Sequence, residues 1–228
     1  MAITLGAVSF DEAHTRVRDK VEEVGGRDER RIDITGMIIG ESAISAIEAR
    51  LDAILDAASA EDYGAELSFR QGRRLWVRRE AFVREIAPES LVGSFTLTVA
   101  AKEPFEESTT MTTVNWTITA SGQTKGVTAG GNLYAKPRLT LVATGSVINP
   151  SFSDGTRTMA YSGTVANGST LVFDGPAGKV TLDGTEVTPY CTGEFPRIAP
   201  EGTTLTYTDD AASSHTAAVT ITYRDRWW

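Results

Sequence analysis

The feature that most constrains this chain is residues 16–58, in which two strand-like segments precede one helical segment. Apolar and charged residues alternate before Gly25-Gly26, and Ile32 and Ile34 continue the alternation after it. A period of two on both sides of a glycine pair predicts a β-hairpin. The arms are rich in charge, so one face of the hairpin must stay in water or meet a charged partner.

A helix over residues 42–58 is predicted directly after the hairpin. At about 100° per residue its apolar side chains fall on one arc, and Ser42 stands where a side-chain cap is expected. That arc comprises Ile44, Ile47, Leu51, Ile54 and Leu55. Ala46, Ala49 and Ala53 lie on another side, where small side chains would let a second surface approach. The alternative is that alanine is simply the best helix former.

Composition and charge exclude several classes of function. The 228 residues are 41% apolar with a formal net charge of −8, which suits two small domains or one large β domain. Residues 1–103 hold 14 basic and 19 acidic side chains, and residues 104–228 hold 8 and 11. Neither part has the basic surplus that a phosphate-binding surface requires, so sequence-specific nucleic-acid binding is not expected.

The sequence gives no signal for membrane insertion, secretion or disulfide formation. No apolar run approaches the roughly 18 residues needed to span a bilayer, so no membrane insertion is expected. The start of the sequence lacks the positive segment of a secretory signal peptide, which favours synthesis and folding in a cytoplasm. Cys191 is the single cysteine, so the fold cannot depend on an intrachain disulfide.

A shift in composition near residue 107 indicates two domains. After it charge thins, and short alternating segments are separated by glycines at the spacing of a β-sandwich. Asp183-Gly184 between two such segments is a strong signal for a two-residue hairpin. We therefore predict a mainly β protein, with a β domain and its helix over 1–107 and an antiparallel β-sandwich over 108–228.

Constellations that carry catalysis or bind metal are not evident in the sequence. His14 and His215 lie in different predicted domains, and neither has a second histidine three or four residues away. Ser213-Ser214-His215 looks like a nucleophile beside a base. Sequence neighbours on a strand point to opposite faces, however, so a loop without catalytic function is the preferred interpretation. We expect no enzymatic activity, no metal and no cofactor.

Tryptophans provide one possible binding surface. Trp116, Trp227 and Trp228 could stack on sugar rings, as aromatic residues do in lectin-like sandwiches. Two exposed tryptophans at a chain end are unusual. The alternatives are that the last strand docks back and buries them, or that they contact another subunit.

A series of short motifs, taken in chain order, carries a family resemblance. They are Gly25-Gly26-Arg27-Asp28, the strand from Arg31 to Gly36 and the alanine-rich helix after it, Ala135 to Leu141, Gly168 to Asp174, Asp183-Gly184, Phe195-Pro196 to Gly202, and the closing strand from Val219 to Arg224. On these motifs the chain resembles the distal tail proteins of long-tailed, non-contractile phages, the siphophages. The resemblance covers nearly the whole chain.

The resemblance implies an N-terminal split-barrel-like belt domain with one helix, followed by a galectin-like antiparallel β-sandwich. It implies a structural virion protein at the tail tip, assembled in the host cytoplasm as a homohexameric ring. Such a ring joins the tail tube to the tail-tip hub and leaves a channel for DNA. The expected partners are copies of itself, the tail tube protein, and the tail hub or tape-measure protein. A prophage or gene-transfer particle would fit equally, and the alternative function is a carbohydrate-binding module for host-surface glycans.

A cyclic ring is a heterologous contact, so two different faces of one subunit must match. The charged hairpin and the alanine side of the helix are the candidate faces. Their residues are Arg18, Lys20, Glu22, Arg30 and Arg31 on the hairpin, and Ala46, Ala49 and Ala53 on the helix.

Overall fold

The described residues, 3–24 and 26–228, form a mainly β protein with one α-helix in this computed structural model. This confirms the predicted fold class. The chain divides into two compact units, the first running to Thr109 and including Trp228, the second spanning Thr110–Trp227. Gly25 lies outside the described residues, so the predicted Gly25-Gly26 turn is described from Gly26 onward. Among the described residues, no helix combines the length and apolar character needed to cross a membrane.

The first unit consists of one antiparallel sheet and helix α1 (Ile44–Ala57). Its strands are β1 (Ile3–Leu5), β2 (Val8–Phe10), β3 (Thr15–Val24), β4 (Arg27–Ile38), β5 (Ala65–Arg70), β6 (Arg73–Ala87), β7 (Val92–Ala101) and β8 (Glu106–Ser108). The sheet order is β2-β1-β5-β6-β7-β4-β3, and β8 pairs with β6. The predicted hairpin is therefore β3–β4, with Val24 opposite Arg27 at its tip.

Alternation along β4 sets the core of the first unit. Ile32 and Ile34 are fully buried, whereas Asp33 between them is half-buried and Arg31 and Thr35 on either side are exposed. Leu97 and Val99 on β7 pair with these isoleucines and are fully buried as well. The period of two read from the sequence thus decides which side of the hairpin base faces inward.

Helix α1 is slightly shorter than predicted and begins without a side-chain cap. Ala43, not Ser42, is the N-cap residue, and its methyl group makes no cap hydrogen bond. Of the predicted apolar arc, Ile47 is fully buried, whereas Ile44 at the first turn remains 38% exposed. Gly93 on β7 makes the close packing possible, because a Cβ there would lie 2.4 Å from Cγ2 of Ile47.

The second unit is an antiparallel β-sandwich. Its strands are β9 (Thr112–Ile118), β10 (Thr124–Val127), β11 (Arg138–Ala143), β12 (Val147–Ile148), β13 (Ser151–Ser153), β14 (Thr158–Tyr161), β15 (Thr164–Val165), β16 (Thr170–Asp174), β17 (Lys179–Leu182), β18 (Thr185–Glu186), β19 (Cys191–Gly193), β20 (Thr203–Thr208), β21 (Ala217–Tyr223) and β22 (Arg226–Trp227), with a 3-10 turn at Thr188–Tyr190. One sheet has the order β10-β20-β13-β14-β19, the other β18-β17-β16-β11-β21-β9, and β12 pairs with β15.

Aromatic side chains fill the centre of the sandwich. Phe152 lies with its ring centroid 6.1 Å from that of Trp116, 5.4 Å from that of Phe173 and 5.5 Å from that of Tyr207. The Asp183-Gly184 hairpin forms as predicted between β17 and β18, with positive φ at both residues (49° and 82°). That backbone conformation matches the twist of the flanking strands.

Candidate assembly surfaces

The outer half of the β3–β4 hairpin extends beyond the core. Every described residue from Val21 to Glu29 is exposed, including Val21 at 47% and Val24 at 48%. A two-stranded ribbon with no cover on either face has little apolar burial to hold it. This half of the hairpin is therefore a surface that a single chain leaves open.

Several charges of the hairpin face like charges across the ladder. The opposed pairs are Lys20 with Arg31, Glu22 with Glu29, and Glu23 with Asp28. We call Lys20 and Arg31 the basic band, and the four carboxylates nearer the tip the acidic band. Like charges directly opposite each other on a sheet are destabilising. Arg31 relieves part of this strain through ion pairs with Glu80 at 3.2 Å and Glu29 at 3.8 Å.

On the inward-facing side of the same hairpin, between these two bands, charges are matched and buried. Arg30 points inward with Ile32, and its side chain is 2% exposed. Its Nε donates to Asp19 Oδ1 at 2.8 Å and its Nη2 to Asp19 Oδ2 at 2.6 Å. Nη2 also donates to Glu106 Oε1 at 2.9 Å, and Nη1 to the carbonyl of Pro104 at 3.0 Å. Bidentate, charge-assisted bonds of this kind are the strong ones.

Two more arginines complete this cluster around Glu106. Arg70 Nη1 donates to Glu106 Oε1 at 2.5 Å, and Arg73 Nη1 approaches Oε2 at 3.4 Å. Arg70 Nη2 also reaches Asp19 Oδ2 at 3.3 Å. Strands β3 and β5 are separated in the sheet order by β6, β7 and β4, so this contact means that the sheet curls back on itself. We call Asp19, Arg30, Arg70, Arg73 and Glu106 the closure cluster.

The closure cluster keeps its central arginine charged. Burial would lower the pKa of Arg30, but the hydrogen bonds and negative charges of Asp19 and Glu106 outweigh that effect and raise the pKa. The expectation that Arg30 lies on an assembly surface is therefore wrong, because its guanidinium is enclosed within its own chain. Arg18 and Glu22 are exposed and Lys20 is half-buried, so these remain on the open part of the hairpin.

The alanine side of helix α1 is largely open. Ala49 and Ala53 are exposed and Ala46 is half-buried. At the margin of the helix, Asp52 forms an ion pair with Arg84 of β6. Small side chains on this surface leave room for a close approach of backbone or side chains from a neighbour.

The three tryptophans occupy different environments. Trp116 is 7% exposed and packs edge-on against Phe152, so the expectation that it could stack on a sugar is wrong. Trp227 is half-buried and lies over Gly131, where a Cβ would be 3.1 Å from its Cε2. Trp228 is 53% exposed, with its ring edge-on to Phe105 at a centroid distance of 6.1 Å.

Polar side chains around His215 stabilise a loop. His215 Nδ1 lies 2.7 Å from Asp209 Oδ1, and the Tyr207 hydroxyl donates to Asp209 Oδ2 at 2.8 Å. Burial, together with Asp209, raises the pKa of Tyr207. Ser213 Oγ donates to the carbonyl of Ile148 and Ser214 Oγ to that of Ser146, both away from the imidazole. In the part of the chain that the structure describes, no cluster of His, Cys, Asp and Glu could hold a metal.

Comparison with known proteins shows that the chain is similar to phage tail components. Residues 130–227 match the family described as siphovirus-type tail component, C-terminal domain. The crystal structure of SPP1 Dit (gp 19.1), described as a paradigm of the hub adsorption apparatus in phages that infect Gram-positive bacteria, is 12% identical with a TM-score of 0.70. The match covers 100% of this chain and 99% of that one. No curated protein matches.

The two comparisons agree with the fold and with the resemblance carried by the sequence motifs. The family match lies within the sandwich, and the fold match extends over the β domain as well. The matched family is described as a tail component, and SPP1 Dit as a paradigm of a hub adsorption apparatus. The predicted resemblance to siphophage distal tail proteins is confirmed: residues 130–227 match the siphovirus-type tail component family, and the whole chain shares its fold with SPP1 Dit.

Proposed function

We propose that this protein forms a homohexameric ring at the distal end of a siphophage tail, where it joins the tail tube to the tail-tip hub and leaves a channel for DNA. Its partners are further copies of itself, the tail tube protein, and the tail hub or tape-measure protein. Assembly takes place in the host cytoplasm. The observation that carries the proposal is the fold shared over the whole chain with SPP1 Dit, a protein of a hub adsorption apparatus.

The open half of the hairpin supports a charged contact in such a ring. Its basic and acidic bands are unfavourable in an isolated chain, and a neighbour with the opposite pattern of charge would offset the repulsion. Arg18, Lys20, Glu22 and Arg31 are the residues that we assign to this face. The formal net charge of −8 is also suited to a channel that should not retain DNA.

Helix α1 supplies the second face of the proposed contact. Ala46, Ala49 and Ala53 present a surface without long side chains, which favours close packing of a neighbour. A closed ring requires two different faces that fit each other, and the hairpin and this helix are different faces of the same unit.

Particle mass tests the ring directly. Mass photometry and electron microscopy of the purified chain should give ring-shaped particles with about six times the subunit mass of 24.5 kDa, or paired rings. A monomer at every accessible concentration would contradict the proposal.

Two variants test the assigned faces. Glu22→Lys alters the hairpin and Ala53→Arg alters the helix; both positions are exposed, so each chain should fold but fail to form rings. In a mixture of the two variants, the Ala53→Arg chain keeps an intact hairpin and the Glu22→Lys chain keeps an intact helix face. Only one contact can therefore form between them. The mixture should therefore stop at dimers. Rings formed by both single variants would show that these faces are not the contact.

A further inference from the structure

A cleft of about 560 Å³ opens at one edge of the sandwich in the second unit. One wall comes from β19, which pairs with β14 and forms the edge of its sheet. The side chains that line it include Lys136, Arg157, Met159, Cys191, Phe195 and Arg197. Its volume lies within the range of small-molecule sites, roughly 300–1,000 Å³.

The cleft is positively charged in a chain that is acidic as a whole. Lys136, Arg157 and Arg197 line it together with a single carboxylate, Glu194, whereas the chain carries a formal net charge of −8. Glu194 lies 3.3 Å from Arg157 Nε, but its side chain is 74% exposed, so water screens that pair. Asp154 Oδ2 lies 3.8 Å from Arg157 Nη1, so three cationic groups stand against two carboxylates at the cleft and the excess is one positive charge.

Asp154 fixes the backbone that carries two of these cations. Its Oδ1 accepts the N–H of Arg157 at 2.7 Å, and its Oδ2 accepts the N–H of Arg197 at 2.8 Å. The Asp154 side chain is 6% exposed. Burial would raise its pKa, but the backbone N–H bonds and the charge of Arg157 outweigh burial and lower it. The two arginines are thus held on one side of the cleft by a buried, ionised carboxylate.

Apolar side chains line the same cleft beside the cations. Met159 is buried on β14, and Phe195 is half-buried in the loop after β19. A site that combines convergent cationic groups with an apolar wall suits a ligand that carries an anion on a carbon skeleton. An inorganic anion alone would leave the apolar wall unused.

We propose that this cleft binds an organic oxyanion, a carboxylate or phosphate group on a sugar-sized body, through Lys136, Arg157 and Arg197. The body packs against Met159 and Phe195. Binding at this cleft does not depend on the ring, because every residue involved belongs to the second unit of one chain. The carboxylate and phosphate forms share the same chemistry and are separated by experiment.

Cys191 provides a built-in reporter for the cleft. It lines the site and is the single cysteine of the chain, so a thiol reagent reads this position alone. Burial raises the pKa of its thiol, which makes alkylation slow near neutral pH. A neutral reagent such as N-ethylmaleimide avoids competition between the reagent and an anionic ligand.

The experiment follows alkylation of Cys191 in the full chain while candidate ligands are titrated. Glucuronate and glucose 6-phosphate are the carboxylate and phosphate probes, with inorganic phosphate and glucose as controls. At ten times its dissociation constant a ligand leaves about one cleft in eleven open, so the rate should fall about tenfold. The stronger of the two anionic sugars identifies the source of the oxyanion.

Matched variants separate binding from nonspecific effects. Arg197→Gln keeps the backbone N–H that Asp154 accepts, and Lys136→Gln removes a second cation. Each should raise the ligand concentration needed for half-maximal protection of Cys191 at least about tenfold, because a hydrogen bond to a charged group is lost. Lys125→Gln makes the same change in charge on β10, outside the cleft, and should leave protection unchanged.

Three results would overturn the proposal. These are an alkylation rate that neither sugar anion changes, protection by glucose equal to that by the anions, and protection that survives both cleft variants. Inorganic phosphate as effective as glucose 6-phosphate would overturn the assignment of an organic body. None of these outcomes depends on whether the protein forms rings, so they leave the proposed tail function to its own test.

Discussion

The inward-facing and the exposed charges of the β3–β4 hairpin use the same residue types in opposite ways. On the inward side, Arg30 lies between Asp19 and Glu106, so unlike charges meet out of water. Among the exposed charges, Glu22 faces Glu29, so like charges meet in water. The ladder between β3 and β4 is continuous from one region to the other.

The difference shows which charges serve the fold and which remain for a partner. A buried ion pair that lost one member would leave an uncompensated charge, so the closure cluster must be complete within one chain. Exposed charges carry no such requirement, because water solvates them whatever they face. The outer half can therefore keep an arrangement that is slightly unfavourable alone and favourable only against a complementary surface.

Arg30→Met gives the largest expected effect and tests the inward-facing charges of the hairpin. The change removes the buried cation that Asp19 and Glu106 share and leaves only the partly exposed Arg70 in contact with both. Breaking a buried pair in this way costs about 3–5 kcal/mol. The free energy of unfolding, measured by urea denaturation, should fall by that amount. Arg31→Met is the matched control, because the neighbouring arginine is exposed and its loss should change stability by no more than about 0.5 kcal/mol. Equal effects of the two variants would remove the distinction between the two regions.

Asp154→Asn extends the comparison to a carboxylate held by backbone N–H groups instead of arginines. The lowered pKa of Asp154 means that its contribution is present above the ordinary value of 3.8 and is lost as pH falls through the lower, folded value. The variant should lose about 2 kcal/mol at neutral pH, as expected for bonds to a charged group, and less in acid. Urea denaturation from neutral to acid pH measures this. Asp210→Asn, at an exposed position, should show little of the effect, and a loss that is the same at every pH would contradict the assignment.

Glu29→Lys gives the smallest expected change in stability and tests the outer half. Lysine opposite Glu22 replaces repulsion by attraction, so the isolated chain should gain about 0.5 kcal/mol. Ring formation should weaken at the same time, because the acidic band is interrupted. Thermal unfolding and mass photometry on the same samples measure the two effects. Glu201→Lys, an equal change of charge in the second unit, should leave ring formation intact; a Glu29→Lys chain that assembles normally would exclude the acidic band from the contact.

Local patterns predicted the elements of this fold well. The alternation in β4 and the Asp183-Gly184 hairpin were both predicted from neighbouring residues, because period and turn chemistry act over a few positions. The capping prediction at Ser42 was wrong, since Ala43 occupies the N-cap position. Residue type alone does not fix the turn in which a helix begins.

Contacts between residues far apart in the chain could not be predicted from the sequence. Glu106 lies 76 residues from Arg30, and nothing near either residue signals the contact. Arg30 therefore looked like one more surface charge of a hairpin. Trp116 looked like a possible sugar contact for the same reason, because a tryptophan on an alternating strand gives no sign of which face the second sheet covers.

The sequence by itself determined the class of the protein: strands, one amphipathic helix and a set of motifs that resemble siphophage distal tail proteins. These follow from short-range periodicity and turn residues, which the chain carries in its local order. Only the tertiary structure decided which charges are enclosed and which stay open, and where cations gather around a cleft. Burial is a property of the packed sheets, and it sets both the cost of an unmatched charge and the surfaces left for a partner.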